Sequence, residues 1–160
     1  MALGLLTAVL WCAFDQVSNW WILERVMVPP REIPVTGFFN IVLGANTGVS
    51  FGLFAGSPQS LLVVLGAALV GILLFMLWRT ETLLGAAGLG LVIGGAVGNI
   101  IDRLRRGGVT DFLDFYVGQW HWPTFNVADI GIVCGAGLLL LEGAFTSRSG
   151  RDRSAGACRP

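Results

Sequence analysis

Two short polar segments of this chain contain aspartates whose types and spacing suit acid–base chemistry. One is Val-Thr-Asp-Phe-Leu-Asp-Phe at residues 109–115, and the other is Phe-Asn-Val-Ala-Asp-Ile at residues 125–130. Two carboxyl groups that meet in a poorly hydrated pocket cannot both ionise, so their proton affinities diverge. One then activates water as a general base, while its protonated partner donates to the carbonyl under attack. This is the arrangement of an aspartic protease.

The partners in such a pair are Asp129 and either Asp111 or Asp114, and the residues alone leave that choice open. A simpler interpretation is also open, in which the aspartates only cap helices near the positive ends of the helix dipoles. The chemistry open to the aspartates therefore depends on how the helices and loops that carry them place the carboxyl groups.

Four apolar runs provide those elements. A segment needs about 20 residues to cross the hydrocarbon core of a bilayer. The runs are Ala2–Ile22, Leu61–Trp78, Leu83–Ile101 and Val127–Phe145. With 54% hydrophobic and 12% charged residues in 160, we expect an integral membrane protein, an all-α bundle of four transmembrane helices. A loop between consecutive helices begins and ends on one face, so Asp111 and Asp129 share a side of the membrane.

Charge does not orient this bundle. The ten basic residues are all arginine, and they divide five and five between the two sides, so the positive-inside rule decides nothing. The turn between the second and third apolar runs is short, and the C-terminal tail is polar. These features favour a cytoplasmic location for this turn and for the tail. We expect a single integral membrane domain at residues 1–146 and a polar, disordered and dispensable cytoplasmic tail at 147–160. The net charge of zero gives no indication of a nucleic-acid partner.

The first long loop predicts a small β-element on the membrane surface. Its segments 38–43 and 49–54 are rich in apolar and aromatic residues, and Gly-Ala-Asn-Thr-Gly at 44–48 joins them as a turn. We expect four phenylalanine side chains to insert into the membrane–water interface: Phe38, Phe39, Phe51 and Phe54. A lipid-bearing or extended peptide would suit this platform as a partner.

The third run combines a packing seam with polar residues at its end. Gly90, Gly94 and Gly98 repeat every four residues, which favours close approach of a neighbouring helix. Beyond them, Asn99 and Arg103 lie about one turn apart. Arg103 either turns into the bundle, where it can hold a peptide carbonyl or fix a carboxylate, or extends to water at the helix end.

Several other chemistries are excluded by composition. Without lysine, a serine protease with a lysine base is impossible, and one histidine, His121, cannot form a multi-histidine metal site. His121 lies between two tryptophans and is expected at the interface. Cys12, Cys134 and Cys158 lack paired spacing, so no metal or organic cofactor is expected.

At these residues the chain resembles the lipoprotein signal peptidases, the signal peptidase II family of bacterial intramembrane aspartic proteases. The matching blocks are Asp15-Gln16, Asn-Thr-Gly-Val-Ser-Phe-Gly at 46–52, Gly-Gly-Ala-Val-Gly-Asn-Ile-Ile-Asp-Arg at 94–103, Gly-Val-Thr-Asp-Phe at 108–112 and Phe-Asn-Val-Ala-Asp at 125–129. By this resemblance Asp111, rather than Asp114, joins Asp129 as the catalytic pair. The polar residues matched around the family's site, where they would bind substrate, are Asp15, Asn46, Asn99, Arg103 and Asn126.

The resemblance also implies a setting. It implies four transmembrane helices with cytoplasmic termini and an extracytoplasmic β-cradle in the bacterial inner membrane. The active site would face the extracytoplasmic side and cleave the signal peptide just before a diacylglyceryl-modified cysteine. The implied partners are a lipid-modified prolipoprotein and membrane lipid, and we expect a monomer that is sensitive to globomycin. Two departures, Asn19 in place of a common lysine and Gly107-Gly108 in place of a frequent histidine, affect local contacts only.

Two other functions compete with proteolysis. A small proton-coupled exporter would use Asp15 within the first helix as its proton carrier, but two long loops and acids gathered at one membrane face argue against it. A lipid-binding scaffold without catalysis would tolerate substitution of the aspartate pair.

Overall fold

A computed structural model of the chain describes residues 1–48 and 58–156, with side chains as far as residue 144. The described part contains four long helices, each in the place of a predicted apolar run. They are Ala2–Trp21 (α1), Gln59–Arg79 (α2), Leu83–Arg106 (α3) and Val127–Gly156 (α4). A π-helical turn, Ile22–Val26, extends α1. Helical backbone thus continues into the segment predicted as a disordered tail, and the division at residue 146 stays a prediction.

Three of the described helices are long and apolar enough to cross a membrane: α2, α3 and the Val127–Ala144 part of α4. They make this an integral membrane protein. α1 is not among them, and its second half contains Asp15, Gln16, Ser18 and Asn19. The prediction of an all-α bundle with four crossings is thus confirmed only in its coarser form, as a mostly helical protein with three candidate spans and a small sheet.

The sheet is antiparallel and formed by both long connections between helices. Its strands lie side by side in chain order: Ile33–Thr36 (β1), Phe39–Asn46 (β2), Val109–Val117 (β3) and Trp120–His121 (β4). β2 lies where the sequence predicts a strand at 38–43, but it continues through residues 44–46. The prediction of a turn over 44–48 is wrong for these residues, because they pair with β3. We did not predict β3, because its hydrogen-bonding partner is distant in the chain and local pattern does not report such pairing. The strand predicted at 49–54, with Phe51 and Phe54, lies outside the described residues.

The register of β2 against β3 brings two polar side chains to one face of the sheet. Gly44 pairs with Asp111, and Asn46 pairs with Val109, after a register shift between Ile41 and Gly44. Asn46 is therefore the diagonal neighbour of Asp111, and residues two apart along a strand point to the same face. The carboxylate and the amide can meet across the strands.

α3 is the central helix, and its glycines allow α1 to approach closely. A Cβ at Gly94 would stand 2.6 Å from the backbone oxygen of Ala8, and one at Gly98 would stand 2.5 Å from Oδ2 of Asp15. Gly90 meets α1 in the same way. The predicted glycine seam is confirmed, with α1 as its partner.

Two apolar clusters hold this framework together. One lies among α1, α2 and α3, and the other lies where α1 ends and α4 begins, against the sheet. The first contains Ala8, Leu73, Leu77, Ala86, Leu89 and Ile93, and the second contains Ile22, Met27, Phe112 and Val127. Phe112 follows Asp111 directly, so burial of this phenylalanine helps to fix the strand that carries the aspartate.

Candidate active site

Asp111 is held on β3 by two side-chain amides. Its Oδ2 accepts a hydrogen bond from Asn46 Nδ2 at 2.9 Å, and its Oδ1 accepts one from Asn126 Nδ2 at 3.1 Å. Only 1% of the residue is exposed. A carboxylate with so little water needs these donors, because a buried charge without partners is very unfavourable.

Asp129 lies in the first turn of α4 and forms a reciprocal cap with Asn126. The backbone N–H of Asp129 donates to Asn126 Oδ1 at 3.0 Å, and the backbone N–H of Asn126 donates to Asp129 Oδ2 at 3.3 Å. This is the geometry of a capping box. The remaining oxygen, Oδ1, accepts from Asn99 Nδ2 at 3.1 Å. Asp129 is therefore both a helix cap, as the simpler interpretation expects, and part of a polar site.

Asn126 is the residue that joins the two aspartates. Its Nδ2 lies within hydrogen-bonding distance of Asp111 Oδ1, of Asn99 Oδ1 at 3.2 Å and of the Thr110 carbonyl oxygen at 3.3 Å. The residue has no exposed surface. β3, α3 and the start of α4 therefore converge on a single asparagine.

A cavity of about 860 Å³ opens beside this convergence. One part of its lining is polar and contains Asn46, Asn99, Arg103, Asp111 and Asp129. The other part is apolar, from α2 and α4, and contains Leu62, Leu65, Leu69, Ile132 and Val133. A peptide group and water would fit the first part, and hydrocarbon would fit the second.

The environment of Asp111 favours its protonated form. Burial is the main effect and raises the pKa of Asp111 to about 7, and the Asp129 charge adds to it. The hydrogen bond from Asn46 and the charge of Arg103 act in the opposite direction. A carboxyl group that gains and loses its proton near neutrality is suited to acid–base catalysis.

Arg103 turns into the protein rather than extending to water. Its guanidinium donates to the Gly48 carbonyl oxygen at 2.7 Å and to the Asn99 carbonyl oxygen at 3.1 Å. Its Nε is buried and has no hydrogen-bond partner among the described residues. Arg103 therefore fixes the chain that follows β2 at Gly48, and the residue also lines the cavity.

Asp15 is fully buried in a different place, behind the aspartate pair. Its Oδ1 accepts from the backbone N–H of Ala128 at 2.9 Å, and Oδ2 accepts from the side chains of Gln16 and Asn19. It does not line the cavity. Of the seven residues that the sequence assigned to the site, Asp15 and Asn126 are those away from the cavity lining.

Asp114, the competitor of Asp111, points to another part of the sheet. Its carboxylate lies 2.9 Å from His121 Nδ1 and accepts from Asn40 Nδ2 at 3.2 Å. His121 also stacks on Tyr116, with ring centroids 5.2 Å apart. These contacts leave Asp114 outside the 860 Å³ cavity.

A second cleft of about 600 Å³ lies at the aromatic edge of the sheet and carries no carboxylate in its lining. Its walls include Phe38, Phe115, Trp120, Trp122 and Phe125. Such a surface suits contact with lipid or an apolar chain more than it suits hydrolysis. Asp111 and Asp129, the candidate acid–base pair, line the other cavity.

Comparison with known proteins matches this geometry to one family. The family model for signal peptidase (SPase) II matches residues 7–145, which include every element that contributes to the cavity. The chain belongs to the signal peptidase II family. It is accordingly an aspartic endopeptidase, as its resemblance predicts.

Relatives in the signal peptidase II family cover nearly the whole chain. A lipoprotein signal peptidase of Rhodopseudomonas palustris (strain TIE-1) is 43% identical over 148 residues, covering 88% of this chain and 90% of its own. One of Methylocella silvestris is 38% identical and covers 97% and 95%. A bacterial membrane enzyme solved by the in meso method at 2.3 Å resolution superposes with a TM-score of 0.81. It is 26% identical and covers 92% of this chain and 90% of its own.

Sequence reasoning missed part of the polar framework. Gln16, Asn19 and Asp102 form a buried network with Asp15, and the backbone N–H of Thr110 donates into it. Helical spacing was the available signal, since residues 15 and 19 share a face of α1. No local sequence pattern relates that face of α1 to β3.

Proposed function

We propose that this chain cleaves the signal peptide from diacylglyceryl-modified prolipoproteins just N-terminal to the lipidated cysteine, with Asp111 and Asp129 as its catalytic pair. Membership of the signal peptidase II family supports the reaction. The observation that carries the choice of residues is that both carboxyl groups line one cavity, with Asn126 hydrogen-bonded to each.

The proposed mechanism uses one proton shared by the pair. The ionised aspartate accepts a proton from a water molecule, whose oxygen attacks the scissile carbonyl carbon. The protonated aspartate donates to the carbonyl oxygen. Collapse of the tetrahedral intermediate breaks the C–N bond, and the leaving amine of the cysteine takes up a proton from the pair. The raised pKa of Asp111 fits the partner that holds the proton.

Polar residues of the cavity are proposed to hold the peptide in line with the attacking water. Asn46 and Asn99 keep the two carboxylates oriented, and each also faces the cavity. Arg103 also lines the cavity and is proposed to hold a peptide carbonyl. Orientation of this kind can contribute several kcal/mol to catalysis, on the order of 7 or more in favourable cases.

The proposed membrane arrangement has α1 as a fourth crossing. Its 20 residues span about 30 Å as a helix, the thickness of a hydrocarbon core. Its end leads into the sheet, as do the end of α3 and the start of α4. These ends therefore share one face of the membrane. We propose that this face is extracytoplasmic, with the sheet as a cradle and both termini in the cytoplasm.

Substrate is proposed to enter from the bilayer of the bacterial inner membrane. The acyl chains stay against the apolar wall of α2 and α4, and the peptide passes between the sheet and the helix ends. Lipid and a lipid-modified prolipoprotein are thus the partners, and the protease acts as a monomer. Neither the exporter nor the lipid scaffold finds support among the relatives. Asp15, on which an exporter would carry its proton, is fully buried.

Paired substrates test the proposal. The purified protein is incubated with a diacylglyceryl-modified prolipoprotein and with the same precursor unmodified. We expect cleavage before the cysteine in the first only, and inhibition by globomycin. Equal cleavage of both would refute the lipid requirement, and cleavage of neither by a folded protein would refute the proposed activity.

A further inference from the structure

Two buried carboxylates outside the cavity bind the backbone immediately before each member of the proposed catalytic pair. Asp15 Oδ1 accepts from the N–H of Ala128 at 2.9 Å, and Ala128 precedes Asp129. Asp102 Oδ2 accepts from the N–H of Thr110 at 3.1 Å, and Thr110 precedes Asp111. Both Asp15 and Asp102 are 0% exposed.

The two carboxylates are also tied to each other. Gln16 Nε2 donates to Asp15 Oδ2 and to Asp102 Oδ1, each at 3.0 Å. Asn19 Nδ2 lies 3.3 Å from Asp15 Oδ2 and 3.2 Å from Asp102 Oδ2. Arg106 pairs with Asp102 on its outer side. One network therefore links α1 and α3 to the two segments that carry the pair.

Neither carboxylate can act by touching substrate at the cavity. Asp15 and Asp102 are absent from its lining and have no exposed surface. Burying charged groups is unfavourable unless their partners are well placed. A buried network of this kind is therefore expected to have a structural or functional role that offsets its cost. Its contacts to Ala128 and Thr110 supply one, because they fix α4 and β3 to α1 and α3. Asn126 links the same two segments directly, and their relative position decides whether two carboxyl groups share a proton.

We propose that Asp15 and Asp102 are positioning residues that set the separation of Asp111 and Asp129 by holding the backbone N–H groups of Ala128 and Thr110. This rests on the proposed function of the pair. α1 and α3, packed along the glycine seam, then form the rigid base of the active site. Asp15 affects turnover through α4 rather than through contact with the peptide.

Kinetics of Asp15→Asn and Asp102→Asn test this. In Asp15→Asn one carboxylate oxygen becomes an NH2 donor, which must face either the Ala128 N–H or the side-chain amides of Gln16 and Asn19. Donor then meets donor in both orientations, which weakens the hold of the network on Ala128. On folded protein isolated by gel filtration, we expect kcat to fall by about 10- to 100-fold, because small displacements of reacting groups have effects of that order. KM should change by less than about threefold, since uniform substrate binding is retained.

Asp114→Asn is the matched control. It removes a buried carboxylate from the same strand as Asp111, with hydrogen bonds to Asn40 and His121 but none to a residue next to the pair. We expect its kcat to stay within about twofold of the parent. The double variant Asp15→Asn/Asp102→Asn should lose little more than the worse single variant, because residues that act as a unit are not additive.

Gly98→Ala provides a test that leaves charge unchanged. Its new Cβ would stand 2.5 Å from Asp15 Oδ2 and push this carboxylate away from Ala128. Gly71→Ala, whose Cβ would meet no described atom within 4 Å, controls for the helical substitution. We expect kcat to fall with Gly98→Ala alone, and this pair decides the question if the aspartate variants do not fold.

Three results would overturn the proposal. Unchanged kcat per folded molecule in the Asp15, Asp102 and Gly98 variants would show that the network is only structural. A raised KM with unchanged kcat would place Asp15 in contact with substrate. A fall in Asp114→Asn equal to that of Asp15→Asn would show a general loss of packing. If the proposed function of the catalytic pair were wrong, the result would be different: Asp111→Asn or Asp129→Asn would itself remain active.

Discussion

Asn126 donates its side-chain amide to Asp111 Oδ1 at 3.1 Å while it caps the helix that carries the second aspartate. One residue therefore has two separable roles. Its Oδ1 accepts from the backbone of α4, and its Nδ2 serves the carboxylate on β3. A substitution that keeps an acceptor but removes the amide donor separates them.

We predict that Asn126→Ser keeps the fold and loses activity. A serine hydroxyl can still accept at the N-cap of α4, so the free energy of unfolding of Asn126→Ser should exceed that of Asn126→Ala, which has no cap, by about 1 kcal/mol. The donor to Asp111 is gone, and cleavage should slow by about 10- to 100-fold. Thermal unfolding and single-turnover cleavage measure the two effects.

Asn126→Ala is the comparison for this variant. It removes both roles, so it should lose stability as well as activity, with the missing cap alone worth about 1 kcal/mol. If Asn126→Ser cleaves at the parental rate, Asn126 has a capping role only.

Activity should decline as pH rises through neutrality. The pKa of Asp111 is about 7, against an ordinary value of 3.8, because burial and the charges of Asp129 and Asp102 outweigh the hydrogen bond from Asn46 and the charge of Arg103. The proton is therefore held below pH 7 and lost above it. We expect kcat/KM to fall by up to about tenfold per pH unit on the alkaline side.

Protonation of Asp111 also affects the free energy of unfolding, and the raised pKa fixes the sign of this effect. A folded-state pKa above the unfolded one contributes stability that is complete below pH 3.8 and lost as pH rises through about 7. The pH–rate profile should thus be measured where gel filtration shows intact protein. A rate that stays constant from about pH 6 to 9 would contradict the assignment of a shared proton to this pair.

The seam between α1 and α3 should be intolerant of side-chain bulk. In Gly94→Ala the new Cβ would stand 2.6 Å from the Ala8 backbone oxygen, so the helices must separate. We expect a loss of about 1–3 kcal/mol in the free energy of unfolding, the usual range for overpacking. Gly71→Ala, in open space on α2, should stay within about 0.5 kcal/mol. Equal melting temperatures for the two variants would argue against close packing at Gly94.

Local pattern was sufficient for the helices, and it limited the aspartate pair to Asp129 with either Asp111 or Asp114. Long apolar runs predict the four helices because hydrocarbon imposes length and composition directly. Loop topology places Asp111 and Asp129 on one side, and the structure brings both to one cavity. The glycine repeat similarly predicts close approach of a neighbouring helix, since its period is close to that of a helix turn, and the structure shows that this helix is α1.

The sheet and the buried network could not be predicted in the same way. β3 acquires its conformation from hydrogen bonds to β2, which lies before α2 and α3 in the chain. Asp15 was assigned to substrate binding, but its contact with Ala128 depends on how three helices pack. Such contacts come from tertiary structure, and they cannot be predicted from residue spacing within one helix.

Cleavage by variants of the aspartate pair tests the central claim most directly. Asp111→Asn and Asp129→Asn are each purified as folded, membrane-inserted protein and incubated with diacylglyceryl-modified prolipoprotein, beside the parent and Asp114→Asn. We predict that both lose cleavage completely, because a single carboxyl group cannot activate water and protonate the carbonyl together, while Asp114→Asn cleaves like the parent. Near-normal cleavage by either Asp111→Asn or Asp129→Asn would contradict the account.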